Sequence, residues 1–357
     1  MRVPLQHWFK TLSRRWASFL EQSIPLREMR DERIASALPS FSFFALLLSA
    51  TVIATLGLIS NSSAVVIGAM IVAPLMNPIL SAAFAMTAGD RHLMRRSLTT
   101  LLLGVGLTIG AAFVMTLLLP VTIVGSEVMA RTSPNLIDLM IAVAAGFAGA
   151  FSITRYRIGS SIAGVAIAVA LVPPLCVTGI GLGLGQEIGV TIGVTAVKEL
   201  GSRVAGGSFL LFLANLVGIT VAACVVFLAQ GYGSLRRAWG YVVAWLLLAA
   251  LLLGPLSYAL NEFLLTKKVD GMLDRLAATE PQRWERIRVR DLDVQIDGSK
   301  AVVDVILEAP QGLVDTTVME ATRQKMLASL RPHGIRELEA RIRVVPIQVF
   351  VLGGGKP

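Results

Sequence analysis

Five long apolar blocks, separated by short polar stretches, dominate the middle of the chain: Phe41–Ile59, Leu98–Leu119, Leu136–Ile153, Phe209–Ala229 and Tyr241–Leu260. At about 1.5 Å per residue, a helix of roughly 20 such residues crosses the ~30 Å hydrocarbon core of a bilayer. The pattern therefore predicts a polytopic α-helical membrane protein. Two further apolar segments lie between these blocks, and both are interrupted by proline. The first is NSSAVVIGAMIVAP, residues 61–74, and the second is SSIAGVAIAVALVP, residues 160–173. Aligned without a gap they share Ser62/Ser161, Ala64/Ala163, Val66/Val165, Ala69/Ala168 and Pro74/Pro173, with a further proline at Pro78 or Pro174. Proline breaks a helix where the bilayer supplies no water to satisfy the freed backbone. Matched breaks in two halves are the best sequence pointer to a transport site.

Each half thus runs span, broken element, span: repeat 1 over about 41–119 and repeat 2 over about 136–229, followed by an extra span at 239–260. If the broken element crosses, each half has three crossings and the second half is inverted relative to the first. Arg91, Arg95 and Arg96 mark one loop as cytoplasmic, the nearly neutral stretch 120–134 reads as external, and Arg155 and Arg157 return the chain inside. Gly106 and Gly110 stand in GxxxG spacing, which predicts a close helix neighbour. The second broken element has two possible ends: one helix over Leu175–Val197 with a Gly181, Gly185, Gly189, Gly193 stripe, or a turn near Gly185–Glu187. A crossing element leaves the C-terminal tail outside, and a re-entrant one leaves it inside.

Polar sequence flanks this region of 39–261. Residues 1–38 carry Trp8, Phe9, Leu12, Trp16, Phe19 and Leu20 at helical spacing among basic residues, which predicts an amphipathic helix on the membrane surface or on the tail. Residues 262–357 predict a soluble α+β domain: helix 262–278, strands 287–295 and 301–307, helix 317–330, strand 336–351. Asp297-Gly298 is a hairpin signal, and the element order is similar to a ferredoxin-like domain lacking one strand.

The stretch NSSAVVIGAMIVAPLMNPIL resembles the hallmark of DUF389, a family of bacterial and archaeal membrane proteins, with Ile67-Gly68-Ala69-Met70 as its core and Ala73-Pro74-Leu75-Met76-Asn77-Pro78 as its end. The resemblance covers roughly residues 40–230 and implies a membrane protein without an assigned activity. The N-terminal segment and the tail lie outside it.

Candidate chemistry concentrates at the breaks. Asn is a good N-cap and Pro suits a first helical turn, so Asn77-Pro78 predicts a second half-helix beginning at Pro78, with a counterpart at Pro174. Two helix N-termini near the midplane, flanked by Pro74 and Pro173, offer unpaired N–H groups to an anion or polar solute without a charged side chain. The alternative is that these prolines only kink continuous helices. Ser62, Ser63, Ser160 and Ser161 are read first as N-caps and second as lining an entrance. Glu187 is the one acid that could lie at depth, if Leu175–Val197 is one helix. Arg155 and Arg157 set topology and could attract an anion, and Asn215 is a lone amide suited to interhelical bonding.

Composition sharpens this picture. The chain has 357 residues, 55% of them hydrophobic, and a net charge of +9. Only fifteen charged residues fall within 41–260, so the basic excess sits beside spans as the positive-inside rule requires, and a nucleic-acid partner is not expected. Cys176 and Cys224 lie in apolar runs and read as small buried hydrophobes. His7, His92 and His333 are scattered, and no metal, cofactor or enzymatic motif is present. The expectation is a multi-pass protein of the inner (plasma) membrane. It would act as a transporter or channel for a small solute, an anion fitting better than a metal cation, with its path between the broken helices and a homo-oligomeric assembly in the bilayer. A non-transporting oligomeric scaffold or sensor, working through the tail, is the competing expectation.

Overall fold

In the computed structural model, residues 22–119, 125–156, 160–187, 194–279, 288–297, 300–309 and 337–346 are described, together with scattered positions of 320–330; for 160–170, 185–187 and 194–200, among others, only the backbone is. The chain divides into two compact units, residues 1–256 and 257–357.

The first unit is helical. In chain order it contains α1 (Leu26–Ser36), α2 (Phe41–Ile59), α3 (Ser63–Val72), α4 (Met76–Ala88), α5 (Arg91–Leu118), α6 (Ser126–Met129), α7 (Leu136–Ile153), α8 (Ser160–Glu187), α9 (Val194–Ala229) and the first part of α10 (Leu235–Thr279), whose last part belongs to the second unit. Among the described residues, five stretches are long and apolar enough to cross a membrane: Phe41–Ile59, Arg91–Leu118, Leu136–Ile153, Gly201–Ala229 and Ala238–Ser257. The protein is a membrane protein by this measure. Their ends are set by capping. The Ser40 hydroxyl accepts the Phe43 amide at the start of α2, and the Asp90 carboxylate accepts the His92 and Leu93 amides at the start of α5. At α7, Asn135 accepts the Ile137 amide while Asp138 accepts the Asn135 amide, a reciprocal capping box.

Packing is densest in the two proline-bearing elements. In α4 every residue except Asn77 and Ala88 is buried. In the described part of α8, Leu171–Leu184, only Leu182 is exposed. α8 packs chiefly on α9 and α5, and α4 chiefly on α5 and α9. α8 and α9 are antiparallel: Thr178 meets Ser208 across their seam at 3.0 Å, and Gly181 faces Ala205 and Gly201 one turn away. Close approach is built on glycine. A Cβ at Gly179 would stand 2.5 Å from the Ile109 carbonyl of α5, and one at Gly146 of α7 would stand 2.6 Å from the Ile219 backbone of α9. The close glycine contacts of α8 include Gly179, Gly181 and Gly183; of the expected stripe, Gly181 is seen in such a contact, and the surroundings of Gly185, Gly189 and Gly193 lie outside the described residues. Gly106 and Gly110 differ from expectation: a Cβ at either meets nothing within 4 Å, so among the described residues no helix lies against the GxxxG face of α5.

At the basic end, residues 22–24 are extended and not helical, which interrupts the helix expected through residue 38. Pro25 is the N-cap of α1, and Ser23 instead bridges Arg155, with Ile24 N–H bonding the Thr154 carbonyl at 3.0 Å. Residues 1–21 lie outside the described residues.

The second unit holds a three-stranded sheet, β1 (Arg288–Asp297), β2 (Lys300–Ala309) and β3 (Glu337–Pro346), in the order β1-β2-β3. β1 and β2 are antiparallel and β2 and β3 parallel. Ala301, Val303, Val305 and Leu307 alternate onto one buried face, with Leu265 and Val269 of α10 and Met326, Leu327 and Leu330. A bulge between Val289 and Asp291 keeps Val289 opposite Leu307 while Leu292, Val294 and Ile296 face Val305, Val303 and Ala301.

Candidate functional site

The first proline element breaks as its chemistry demands. Ala73, immediately before Pro74, is forced out of the helical region to φ −72°, ψ 123°, and α3 and α4 meet at 52°. α4 begins at Met76, two residues before Pro78, with Leu75 as its cap; the Asn77 amide donates to the Pro74 carbonyl at 3.3 Å. The expectation that Asn77 caps a helix beginning at Pro78 is therefore corrected: both lie in the first turn, where proline needs no N–H donor.

The second element does not break. α8 runs from Ser160 to Glu187 with Pro173 and Pro174 inside it, so no half-helix begins at Pro174. The missing N–H groups leave the Val169 and Ala170 carbonyls without their helical donors. Burial against α9, α5 and α2 holds the helix together through this defect. The element therefore contributes acceptors to the interior and no second N-terminus.

The two elements reach a similar depth. Leu75 at the break and Leu47 of α2 both flank Gly104 of α5. One turn further along α2, the Thr51 carbonyl receives the Cys176 thiol, Sγ–O 3.9 Å, two residues past Pro174. Leu75 at the break and Cys176 just past the proline pair thus meet levels of α2 that lie about 6 Å apart. Sequence reasoning missed the hydroxyls gathered there. Thr51 Oγ1 lies 3.4 Å from Thr108 Oγ1, and the fully buried Thr55 hydroxyl meets no partner among the described residues. Their signal was available in the threonine and glycine stripe of α5, Thr100, Gly104, Thr108, Ala112, Thr116, which is its buried face.

The other candidates are dispersed. Ser62 is the N-cap of α3 but its side chain makes no capping bond. Ser63 instead donates to the Glu127 carboxylate of α6, and Asn61, in the left-handed region at φ 54°, accepts the Glu127 amide at 2.9 Å. The Ser63 hydroxyl holds the Glu127 carboxyl below its ordinary value, with Arg131 adding to the effect. Ser160 and Ser161 open α8, but their side chains, like that of Glu187, lie outside the described residues, and so does Arg157 altogether. Glu187 ends α8 rather than sitting within a helix over Leu175–Val197, since α9 begins anew at Val194. Thirteen residues of helix separate it from Pro174, about 20 Å, which is more than half the hydrocarbon thickness. Arg155 donates to Gln230 at 3.0 Å and lies over the Phe151 ring at 5.1 Å, a tie between the ends of α7 and α9. Asn215 is buried in α9. Among the described residues no three metal-ligating side chains converge.

A cavity of about 730 Å³ opens at the basic end. Its lining includes Leu26 and Arg30 of α1, Phe84 of α4, Asp90 and Tyr232. Arg30 Nη2 bonds Asp90 Oδ2 at 2.8 Å, and the Leu93 amide, with Arg30, keeps the Asp90 carboxyl below its ordinary value.

A model of the domain of unknown function DUF389 matches residues 70–221, from the break through most of α9. An uncharacterised protein of Methanocaldococcus jannaschii is 30% identical over 220 residues, which are 60% of this chain and 64% of that protein. The chain thus covers a little under two thirds of that relative. The matched DUF389 region contains the break at Pro74 and all of α8, and leaves out α1, α2, most of α3 and the sheet unit.

Proposed function

We propose that the protein is a multi-pass inner-membrane transporter or channel for a small solute, without enzymatic activity, whose path follows the α3–α4 break and the proline pair of α8. One observation carries this reading: a 52° break and a proline pair, both in the most deeply buried elements and at nearly one depth, leave backbone polar groups unpaired inside an apolar bundle. The packing pattern supports an inverted repeat. α4 of the first half packs on α9 of the second, and α8 of the second on α5 of the first. The N–H groups at the start of α4 suit a small anion or a polar solute, and the carbonyls of α8 add acceptors that suit a polar solute. The open Gly106–Gly110 face fits homo-oligomerisation in the bilayer.

The test replaces both Asn77-Pro78 and Pro173-Pro174 with Ala-Leu and measures solute flux in proteoliposomes, with folding checked by size exclusion. Loss of flux in a folded protein is the expected result; unchanged flux sinks the proposal.

A second reading has its own support. Pro78, Pro173 and Pro174 are buried in packed interior, and the 730 Å³ cavity lies at the basic end and not beside them. The sheet unit has its own core, and its β1-β2-β3 order is compatible with a ferredoxin-like domain lacking one strand. An oligomeric scaffold or sensor acting through that unit predicts unchanged membrane integrity and no flux for any solute, but altered assembly when the sheet is disrupted.

A further inference from the structure

α1 buries one stripe: Met29, Arg33 and Ala37, at four-residue spacing. The flanking members are apolar. Arg33 is a guanidinium at 2% exposure, and among fully buried side chains it is one of the largest. Burying an ion costs several kcal/mol unless its donors are met. Here they are not. Nη2 bonds Glu32 at 2.7 Å, while Nε and Nη1 have no partner among the described residues.

The surroundings are defined by three bonds. Arg30 is pinned to Asp90, the Ser81 hydroxyl of α4 donates to the Arg33 carbonyl at 3.1 Å, and the Thr100 hydroxyl of α5 donates to the Ala37 carbonyl at 2.8 Å. α1 therefore lies along α4 and α5, with Arg33 between the levels of Asp90 and Thr100. Ser97, one turn before Thr100 on the buried face of α5, falls in that interval. Its hydroxyl is fully buried and also lacks a partner. The acids nearby are engaged elsewhere: Asp90 with Arg30 and the α5 amides, and Glu28 with the Tyr156 hydroxyl. Arg30, one turn before Arg33, lines the 730 Å³ cavity at the basic end.

We propose that Arg33 and Ser97 form a binding site for a phosphate-type oxyanion, held between α1, α4 and α5 at the basic end of the bundle. Glu32 meets one end of the guanidinium, and such a ligand brings several acceptor oxygens for the donors that Glu32 leaves, Nε, Nη1 and the Ser97 hydroxyl. The site goes beyond the transport reading and stands whether or not the ligand is carried. The same chemistry is offered by free inorganic phosphate and by the phosphate of an anionic lipid headgroup.

The test uses the full chain in detergent free of anionic lipid, titrated with inorganic phosphate against chloride at equal ionic strength, and in nanodiscs of phosphatidylglycerol or phosphatidylcholine. A ligand that binds only the folded state raises the thermal midpoint with its concentration. The wild type is expected to be stabilised by phosphate, by phosphatidylglycerol, or by both. Phosphate alone identifies a soluble anion, and phosphatidylglycerol alone identifies a headgroup. Ser97→Ala is expected to weaken the response about tenfold, the worth of one hydrogen bond to a charged group. Arg33→Met completes the apolar stripe and so keeps the fold. It is expected to exceed the wild type in midpoint without ligand and to lose the response to both ligands, while Arg30→Gln keeps it. No response of the wild type to either ligand, or an equal response of Arg33→Met, overturns the proposal.

Discussion

The two proline elements start from nearly the same sequence and end in different structures. In residues 61–78 the prolines stand four apart, and each meets a position where proline fits. Pro74 closes α3, and Pro78 enters the first turn of α4. In residues 160–187 they are adjacent, Pro173-Pro174, and no spacing remains in which one helix can end and another begin. The chain keeps a single helix and loses the donors to two carbonyls instead. Packing makes this tolerable: α3 leaves Val65, Ile67 and Ile71 exposed, whereas α8 is enclosed from Leu171 to Leu184 save for Leu182. Proline spacing chooses where a break can occur, and tertiary enclosure decides whether it does.

This difference can be broken experimentally. The largest effect is expected from Gly179→Ala in α8, whose Cβ would press on the Ile109 carbonyl; overpacking of this kind costs about 1–3 kcal/mol. Gly68→Ala in α3, where a Cβ meets nothing within 4 Å, should stabilise by about 0.5–1 kcal/mol, and thermal midpoints of the two purified variants compare the elements directly. Next comes Pro173→Ala with Pro174→Ala, which restores donors to the Val169 and Ala170 carbonyls. About 1 kcal/mol for each recovered bond is expected, read as slower amide exchange in α8. Pro74→Ala should give no such gain, since Ala73 is already extended. A smaller effect tests the other end of α3. The Glu127 carboxyl is held below its ordinary 4.5 chiefly by the Ser63 hydroxyl, so its contribution is complete above that value and is lost as pH falls through the depressed one. Ser63→Ala should remove most of this acid-side dependence from a pH series of thermal midpoints. Arg30→Gln is expected to be the mildest, at most about 1 kcal/mol, because Arg30 is 58% exposed in its pair with Asp90.

What could be read from the residues divides along similar lines. Phe41–Ile59 and Leu136–Ile153 were legible to the residue, because an apolar run of that length has one use in a membrane. The break at Pro74 was legible too, from local sterics alone. Continuity through Pro173-Pro174 was not, since it depends on neighbours distant in sequence, and the same ignorance left Glu187 as a candidate at depth. Arg33 was hidden among the charges of α1. Its signal was positional, a cation at the centre of the Met29–Ala37 spacing. The bulge in β1 had a signal as well, the shift of apolar positions from odd at Val289 to even at Leu292. The Asp297-Gly298 hairpin was visible because turn chemistry is local, and β1 and β2 do end and begin around it.

The extended segment at residues 22–24 has a consequence for how the protein is made. The Tyr232 hydroxyl donates to the Ile24 carbonyl at 2.6 Å across 208 residues of chain, and Ser23 is bridged to Arg155. At a synthesis rate of about 5–20 residues per second, Tyr232 leaves the ribosome roughly 10–40 s after Ile24. During that interval the early helices enter the bilayer with their N-terminal clasp open. Assembly of the membrane unit therefore finishes where translation of it began, and a nascent chain stalled before Tyr232 is expected to expose Ile24 to protease long after α2 has inserted.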